Sequence, residues 1–382
     1  MAGGRALRAT LRTVKGLILA GGAGTRLRPI THTSAKQLVP VANTPILFYG
    51  LAAMAAAGIK QVGMIVGETR DEVMAAVGDG SRWGIEVTYI PQEAPLGLAH
   101  CVLIARDFLG QDDFVMYLGD NLLEQGLVEF VERFEAAREA ARHPTLHAPH
   151  SDVPSAQVLL TPVPDPRAFG VAELAPDGRI VRLVEKPQDP PSNLALVGVY
   201  LFDASIHEAV RSIEPSARGE LEITEAIQWL IDHGHHVRQE VLDGWWIDTG
   251  KLTPLLEANR LLLEKLEARV DGEVDDDSQL DGRVVVEAGA RVVRSSIRGP
   301  VIIGAGARIE DSFIGPFTAI GADCVVERSE VEHSVICERS RIVGIPRVED
   351  SLIGRDVEVL RSATRPRATR LMLGDDCRVD LE

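Results

Sequence analysis

From residue 286 onward an aliphatic side chain returns at every fifth or sixth position: Val286, Val292, Ile297, Ile303, Ile309, Ile314, Ile320, Val326, Val331, Ile336, Ile342, Val348, Ile353 and Val359. A helix repeats at about 3.6 residues and a half-buried strand at 2, so neither produces this period. A six-residue return implies a β-helix with three short faces per coil and each aliphatic residue pointing inward. Glycine follows the aliphatic position in Ile303-Gly304, Ile314-Gly315, Ile320-Gly321 and Ile353-Gly354, where it is expected to ease a corner. The pattern blurs after Val359, where Arg361, Arg365, Arg367 and Arg370 cluster, and returns at Leu373-Gly374.

The region from residue 14 to about 250 reads differently. Apolar runs such as Val62 to Val66, Phe114 to Leu118, Gln157 to Thr161 and Leu196 to Phe202 alternate with helical stretches, which implies an α/β layered domain with a mixed, mainly parallel sheet. Ligands of such sheets sit at the carboxyl ends of the strands. Residues 251–277 read as a linker helix, with Leu255, Leu256, Leu262, Leu263 and Leu266 at helical spacing, followed by an acidic turn. The β-helix is placed at 278–382 and a disordered extension at 1–13. Residues 141–156 hold three histidines and three prolines without periodicity, which suits a surface loop better than a metal site.

The net charge of −16, from 40 basic and 56 acidic residues, argues against a nucleic-acid partner, which requires a basic face. No apolar run is long enough for a membrane span. Arg5, Arg8 and Arg12 precede no hydrophobic core, so residues 1–13 are not a secretory signal. Cys101, Cys324, Cys337 and Cys377 form no C-x-x-C pair and read as reduced thiols, so a cytoplasmic location is expected.

The chemistry is concentrated at strand ends. A buried run over 14–20 empties into G-G-A-G-T-R-L-R-P at 21–29, with Lys36 following in S-A-K-Q-L-V-P. Glycines let backbone N–H groups approach phosphate oxygens, and Thr25, Arg26 and Lys36 add a hydroxyl and two positive charges. The string is neither the P-loop nor the dinucleotide fingerprint. Asp120, in L-G-D-N, and Asp248, in W-W-I-D-T-G, each end a strand, and two such carboxylates can bracket a magnesium ion, although Gly-Asp-Asn is also good turn chemistry. Gln92 lies on a loop entering a helix and can read a base edge through its amide. Glu185-Lys186-Pro187 alone is an ordinary ion pair before a turn; Thr224 reads as a helix cap, and Glu220 and Glu222 read as surface charge.

In this order the motifs resemble the sugar nucleotidyltransferases, specifically the glucose-1-phosphate thymidylyltransferases that carry an added β-helix. The likeness runs from about residue 14 to about 360 and also includes P-L-G-L-A-H, F-G-V-A-E-L, V-E-K-P and R-G-E-L-E-I-T. The resemblance implies a Rossmann-like nucleotidyltransferase domain followed by a left-handed hexapeptide-repeat β-helix. It also implies Mg²⁺-dependent transfer of the dTMP group from dTTP to α-D-glucose 1-phosphate, with pyrophosphate released by in-line displacement. Position by position it implies that Leu19, Gly21, Gly22, Gly24 and Thr25 hold the nucleotide and that Arg26, Lys36 and Lys186 are catalytic. Gln92 and Gly97 take the thymine edge, Asp120 and Asp248 the metal, and Gly170, Glu185, Lys186 and Val197 the sugar phosphate. Phe169 stands where shorter relatives often carry Tyr. The partners implied are the two substrates, and a homo-oligomer is expected through the β-helix.

Two alternatives differ in kind. A uridylyl-, adenylyl- or guanylyltransferase keeps the reaction class. An acyltransferase on the β-helix would depend on His333, the one histidine within the coils, and a regulatory subunit would keep the fold without the chemistry.

Overall fold

The computed structural model describes residues 14–22, 24, 27–32, 35–142 and 153–361. The expected extension at 1–13, most of the loop at 141–156, and the stretch from 362 to 382 that includes Cys377 lie outside the described residues. The chain divides into two compact units, Met1–Gly22 with Gly50–Gly119 and Leu123–Trp246, and Ala23–Tyr49 with Asp120–Leu122 and Ile247–Glu382.

The first unit is built on a nine-stranded sheet. Its strands are β1 (Lys15–Leu19), β2 (Gln61–Val66), β3 (Glu86–Pro91), β4 (Phe114–Leu118), β5 (Pro154–Pro162), β6 (Gly170–Leu174), β7 (Ile180–Glu185), β8 (Leu194–Phe202) and β9 (His236–Val241). The order is β7-β6-β8-β4-β1-β2-β3, with β5 on β8 and β9 on β5. β4, β1, β2 and β3 run parallel; β8 is antiparallel to its neighbours, so the sheet is mixed as expected. Leu17, Ile18, Met64, Ile65, Val115 and Met116 are fully buried, which is why the parallel strands read as continuous apolar runs and do not alternate. Helices Leu98–Ile104, Ile206–Ser212 and Ile223–Asp232 close one face through Val102, Ala209, Ile227 and Leu230.

The second unit carries the left-handed β-helix, with strands stacked in three parallel sheets of six, six and four. All fourteen aliphatic positions read from the sequence point into its core, the last three partly buried. Val285 pairs with Ile302 and Ile302 with Ala319, so these coils take 17 residues with one face in three a residue shorter, and the next, from Ala319 to Val335, takes 16, which together explain the five-residue steps. Parallel pairing already starts at Arg269–Val270 and Glu273–Val274, where charge and short strands hide the repeat. Helix Leu252–Leu263 lays Leu262 and Leu263 against Val285, Ile302 and Ala319 on the outer face of one sheet.

The expected role of the glycines needs correction. The left-handed positions of the β-helix are held by Gly282, Gly289, Gly306 and Gly344 and by Arg294, Asp311, Phe317, Asp323, Arg328, His333, Arg339, Asp350 and Asp356, whereas the glycines directly after the aliphatic positions are not left-handed. Gly304 and Gly321 are small because the next coil passes over them. A Cβ built there would stand 2.7 Å from Ala322 N and 2.6 Å from Glu338 N. His333 pairs with Asp350 on one of these corners, at 2.5 Å.

Candidate active site

In the first unit the parallel strands deliver their ends to one edge of the sheet. The ladder continues past the strands: Ala20 N donates to Ile65 O at 2.8 Å, Gln92 N to Val66 O at 2.8 Å, and Gly119 N to Leu19 O at 2.9 Å. Leu19, Gly21, Gly22 and Gln92 therefore lie along that edge, and a Cβ built on Gly21 would stand 3.4 Å from Gln92 Oε1 and from Gly67 N. Gly97 begins the helix Leu98–Ile104 with φ 101°, and a Cβ there would stand 2.7 Å from Leu221 N. Leu221 straps this loop by donating to Leu96 O at 2.8 Å and accepting from Ala99 N at 3.0 Å. The sequence motif R-G-E-L-E-I-T thus positions P-L-G-L-A-H, a link the sequence did not reveal.

The residues expected at the sugar phosphate also gather in this unit. Gly170 and Glu185 are partners across β6 and β7. Thr224 Oγ1 donates to Glu185 Oε2 at 3.2 Å, and Arg218 Nη2 and Lys186 Nζ lie 3.5 and 3.4 Å from Glu185 Oε1. A Cβ on Gly170 would stand 2.6 Å from Thr224 Cγ2, so Thr224 and Gly170 share a closely fitted wall. Lys186 takes φ 42° and donates its N–H to Phe169 O at 3.0 Å. Val197 is fully buried at a register shift of β8.

Two sequence readings fail here. Thr224 is not the cap of helix Ile223–Asp232; Glu222 holds that position, and Thr224, buried, turns inward to Glu185. Glu222 is not surface charge but is buried, with Arg218 Nη2 donating to its two oxygens at 2.8 and 2.9 Å and Ser216 Oγ at 2.8 Å. The helix begins two residues earlier than a cap at Thr224 would place it, and a carboxylate with a guanidinium three or four residues away is indistinguishable in sequence from a solvated pair.

In the second unit Lys36 opens the short helix Lys36–Leu38 and is buried. Its Nζ donates to Asp120 Oδ2 and lies 3.9 Å from Asp248 Oδ1. Each carboxylate is itself oriented: Asn121 Nδ2 donates to Asp120 Oδ1 at 2.9 Å, and Gly250 N to Asp248 Oδ1 at 3.0 Å. Thr249 fastens the two segments, donating from N at 3.1 Å and from Oγ1 at 2.7 Å to Asp120 O. Burial alone would push the Asp120 carboxyl up, but the Lys36 charge and the hydrogen bonds from Lys36 and Asn121 hold it below the usual carboxylate range. Gly24, at φ 63°, leaves room for the Lys36 stem and accepts from Thr31 Oγ1 at 2.6 Å. Thr25 and Arg26 lie outside the described residues.

The arrangement matches known proteins over most of the chain. A family model described as nucleotidyl transferase matches residues 15–265. The chain is 58% identical over 368 residues to a glucose-1-phosphate thymidylyltransferase of Streptomyces griseus, covering 96% of this chain and 99% of that protein. It is 43% identical over 372 residues to the low-salt glycan biosynthesis nucleotidyltransferase Agl11 of Haloferax volcanii, covering 96% of this chain and 100% of that protein. A crystal structure from Bacillus anthracis, assigned as a glucose-1-phosphate thymidylyltransferase in complex with a sucrose, superposes with a TM-score of 0.58 at 34% identity, covering 65% of this chain and 95% of its own. The chain belongs to the nucleotidyl transferase family, in its glucose-1-phosphate thymidylyltransferase branch.

Proposed function

We propose that this nucleotidyltransferase moves the dTMP group from dTTP to α-D-glucose 1-phosphate. A phosphate oxygen of the sugar phosphate attacks the α-phosphorus, the bond to the β-phosphate breaks, and pyrophosphate leaves. The observation that carries the reading is the convergence of Asp120 and Asp248 on one buried ammonium, Lys36 Nζ. Two carboxylates that meet around a single cation supply the hard oxygen donors Mg²⁺ takes, with phosphate oxygens and water completing its shell. Among the described residues no group of three or more His, Cys, Asp or Glu side chains gathers as a metal cluster, which fits a metal held partly by substrate. Mg²⁺ bound by Asp120 and Asp248 would supply positive charge to the phosphates.

The remaining work is alignment and charge neutralisation, since two polyanions must approach each other. Lys36 and Arg26 offset the charge of the triphosphate, and Gly21, Gly22, Gly24 and Thr25 hold it through N–H groups and a hydroxyl. Gln92 and Gly97 take the base. Glu185, fixed by Thr224, accepts from sugar hydroxyls beside Gly170 and Val197, and Lys186 meets the sugar phosphate. No general base is needed, because the attacking oxygen is already ionised near neutral pH. We also read the β-helix as the surface through which copies associate.

The test is pyrophosphate release by purified protein with Mg²⁺, glucose 1-phosphate and dTTP, UTP, ATP, GTP or CTP in turn. Preference for dTTP is expected. Release favouring UTP would reassign the nucleotide, and no release with any of the five would overturn the reading.

A further inference from the structure

Gln92 follows β3, and its carboxamide is held from one side. Nε2 lies 3.1 Å from His100 Nδ1 and donates to Gly97 O at 3.5 Å. A carboxamide nitrogen has two hydrogens and no lone pair to offer, so His100 Nδ1 takes one of them as an acceptor and Gly97 O stands at the limit of reach of the other. Oε1 is turned the other way, toward Gly21, where a built Cβ would stand 3.4 Å from it. At the carboxyl edge of the sheet Gln92 therefore presents an acceptor.

We infer that His100 is a specificity-determining positioning residue: by accepting one Gln92 amide hydrogen it prevents the amide from turning over, so that Gln92 selects bases with an N–H at the edge it reads. Thymine and uracil carry that N–H at N3, whereas cytosine has a bare acceptor there. The inference rests on the assignment of Gln92 to the base given above. Nδ1 accepts only when the ring is neutral with its proton on Nε2, and burial favours that form by pushing the His100 pKa down. Gly97 O alone is a weak lock, because its 3.5 Å contact is at the limit of a hydrogen bond and it also accepts from Cys101 Sγ at 3.6 Å. In the turned amide, Oε1 would face the Gly97 carbonyl and the Nδ1 lone pair together, and the amide N–H groups would meet cytosine N3.

The experiment measures kcat/KM for dTTP, UTP and dCTP with Mg²⁺ and glucose 1-phosphate in wild type, His100→Phe, His100→Leu and His100→Gln. Phe keeps the ring volume and Leu does not, but both remove the acceptor; Gln restores one through Oε1. The dTTP-to-dCTP ratio is expected to fall about tenfold or more in the Phe and Leu variants and to stay within about threefold of wild type in the Gln variant. The dTTP-to-UTP ratio is expected to hold throughout, since the two bases share the edge. A merely structural role would lower all three nucleotides together. An unchanged dTTP-to-dCTP ratio in Phe and Leu, or an equal loss in Gln, overturns the inference while leaving the proposed function intact. A wild type that uses dCTP as well as dTTP overturns the base assignment and the inference with it.

Discussion

Lys36 sets the residue scale, because a buried ammonium is tolerated only where carboxylates answer it. Asp120 and Asp248 both do so, and each is oriented by a further hydrogen bond. Asparagine at either position keeps the shape and removes the charge. Asp120→Asn and Asp248→Asn are therefore expected to lower kcat for pyrophosphate release by about 10²–10³, with the fold retained by circular dichroism. Wild-type turnover in either variant would remove that residue from the metal-binding set. Cysteine gives a pH-dependent prediction. Burial pushes the Cys101 and Cys337 thiols up to about 12 and Cys324 up to about 11, from an ordinary 9. The native protein then holds no thiolate at these positions at pH 8, and iodoacetamide with peptide mapping should leave all three unmodified until denaturant is added. As pH rises above 9 the unfolded chain ionises first, so this contribution to stability is lost between about 9 and 12. At this scale the candidate site was legible where a motif named the residue, as with Lys36, Asp120 and Asp248. It was not legible where a role depends on burial. Thr224 and Glu222 looked like cap and surface charge because nothing local in sequence marks the side chain that turns inward.

The elements follow their patterns closely. The strands at Gln61–Val66 and Phe114–Leu118 and the inward residues of the β-helix were legible from apolar runs and a fixed period. A second repeat, of buried serines, was not. Ser295, Ser312 and Ser329 recur at coil spacing below Ser278, and each hydroxyl accepts from the next coil: Ser312 N to Ser295 Oγ at 3.1 Å, Ser329 N to Ser312 Oγ at 3.2 Å, Ile345 N to Ser329 Oγ at 3.0 Å. The same hydroxyls donate to carbonyls two residues back, as Ser312 does to Glu310 O at 2.7 Å. A corner interrupts the backbone ladder, and the serine column satisfies the amides left over. Hydrophobic patterning does not register such a column, because serine is ordinary in any turn. Ser312→Ala leaves the Ser329 N–H buried without its acceptor and should cost about 1–3 kcal/mol in chemical denaturation, with turnover at 25 °C unchanged. A loss under about 0.5 kcal/mol would show that water reaches the corner.

On the scale of the whole molecule, the β-helix does more than extend the chain. Within the second unit it supports the segment that carries Lys36. Asn259, fully buried on helix Leu252–Leu263, accepts from Ala42 N at 2.8 Å and donates to Phe317 O at 2.9 Å, so one side chain joins the turn after Lys36 to a coil. Asn43 Nδ2 adds a bond to Ile320 O at 2.7 Å, and Ala42 and Asn43 are held at φ 46° and 59°. Farther along, Pro29, Ile30, Leu38 and Pro40 meet Cys337, Gly354 and Val357 around a cleft of about 390 Å³. A loop with this many fixed points keeps a buried lysine in place without substrate, which preorganises its charge. Asn259→Ala removes the bridge and orphans the Ala42 N–H and the Phe317 carbonyl, each at about 1–3 kcal/mol. The expected result is a lower melting temperature together with a fall in kcat of about tenfold, although Asn259 touches none of the proposed site residues. A lower melting temperature with kcat unchanged would mean that the segment holds its pose without the coil, and that the β-helix has no part in placing Lys36.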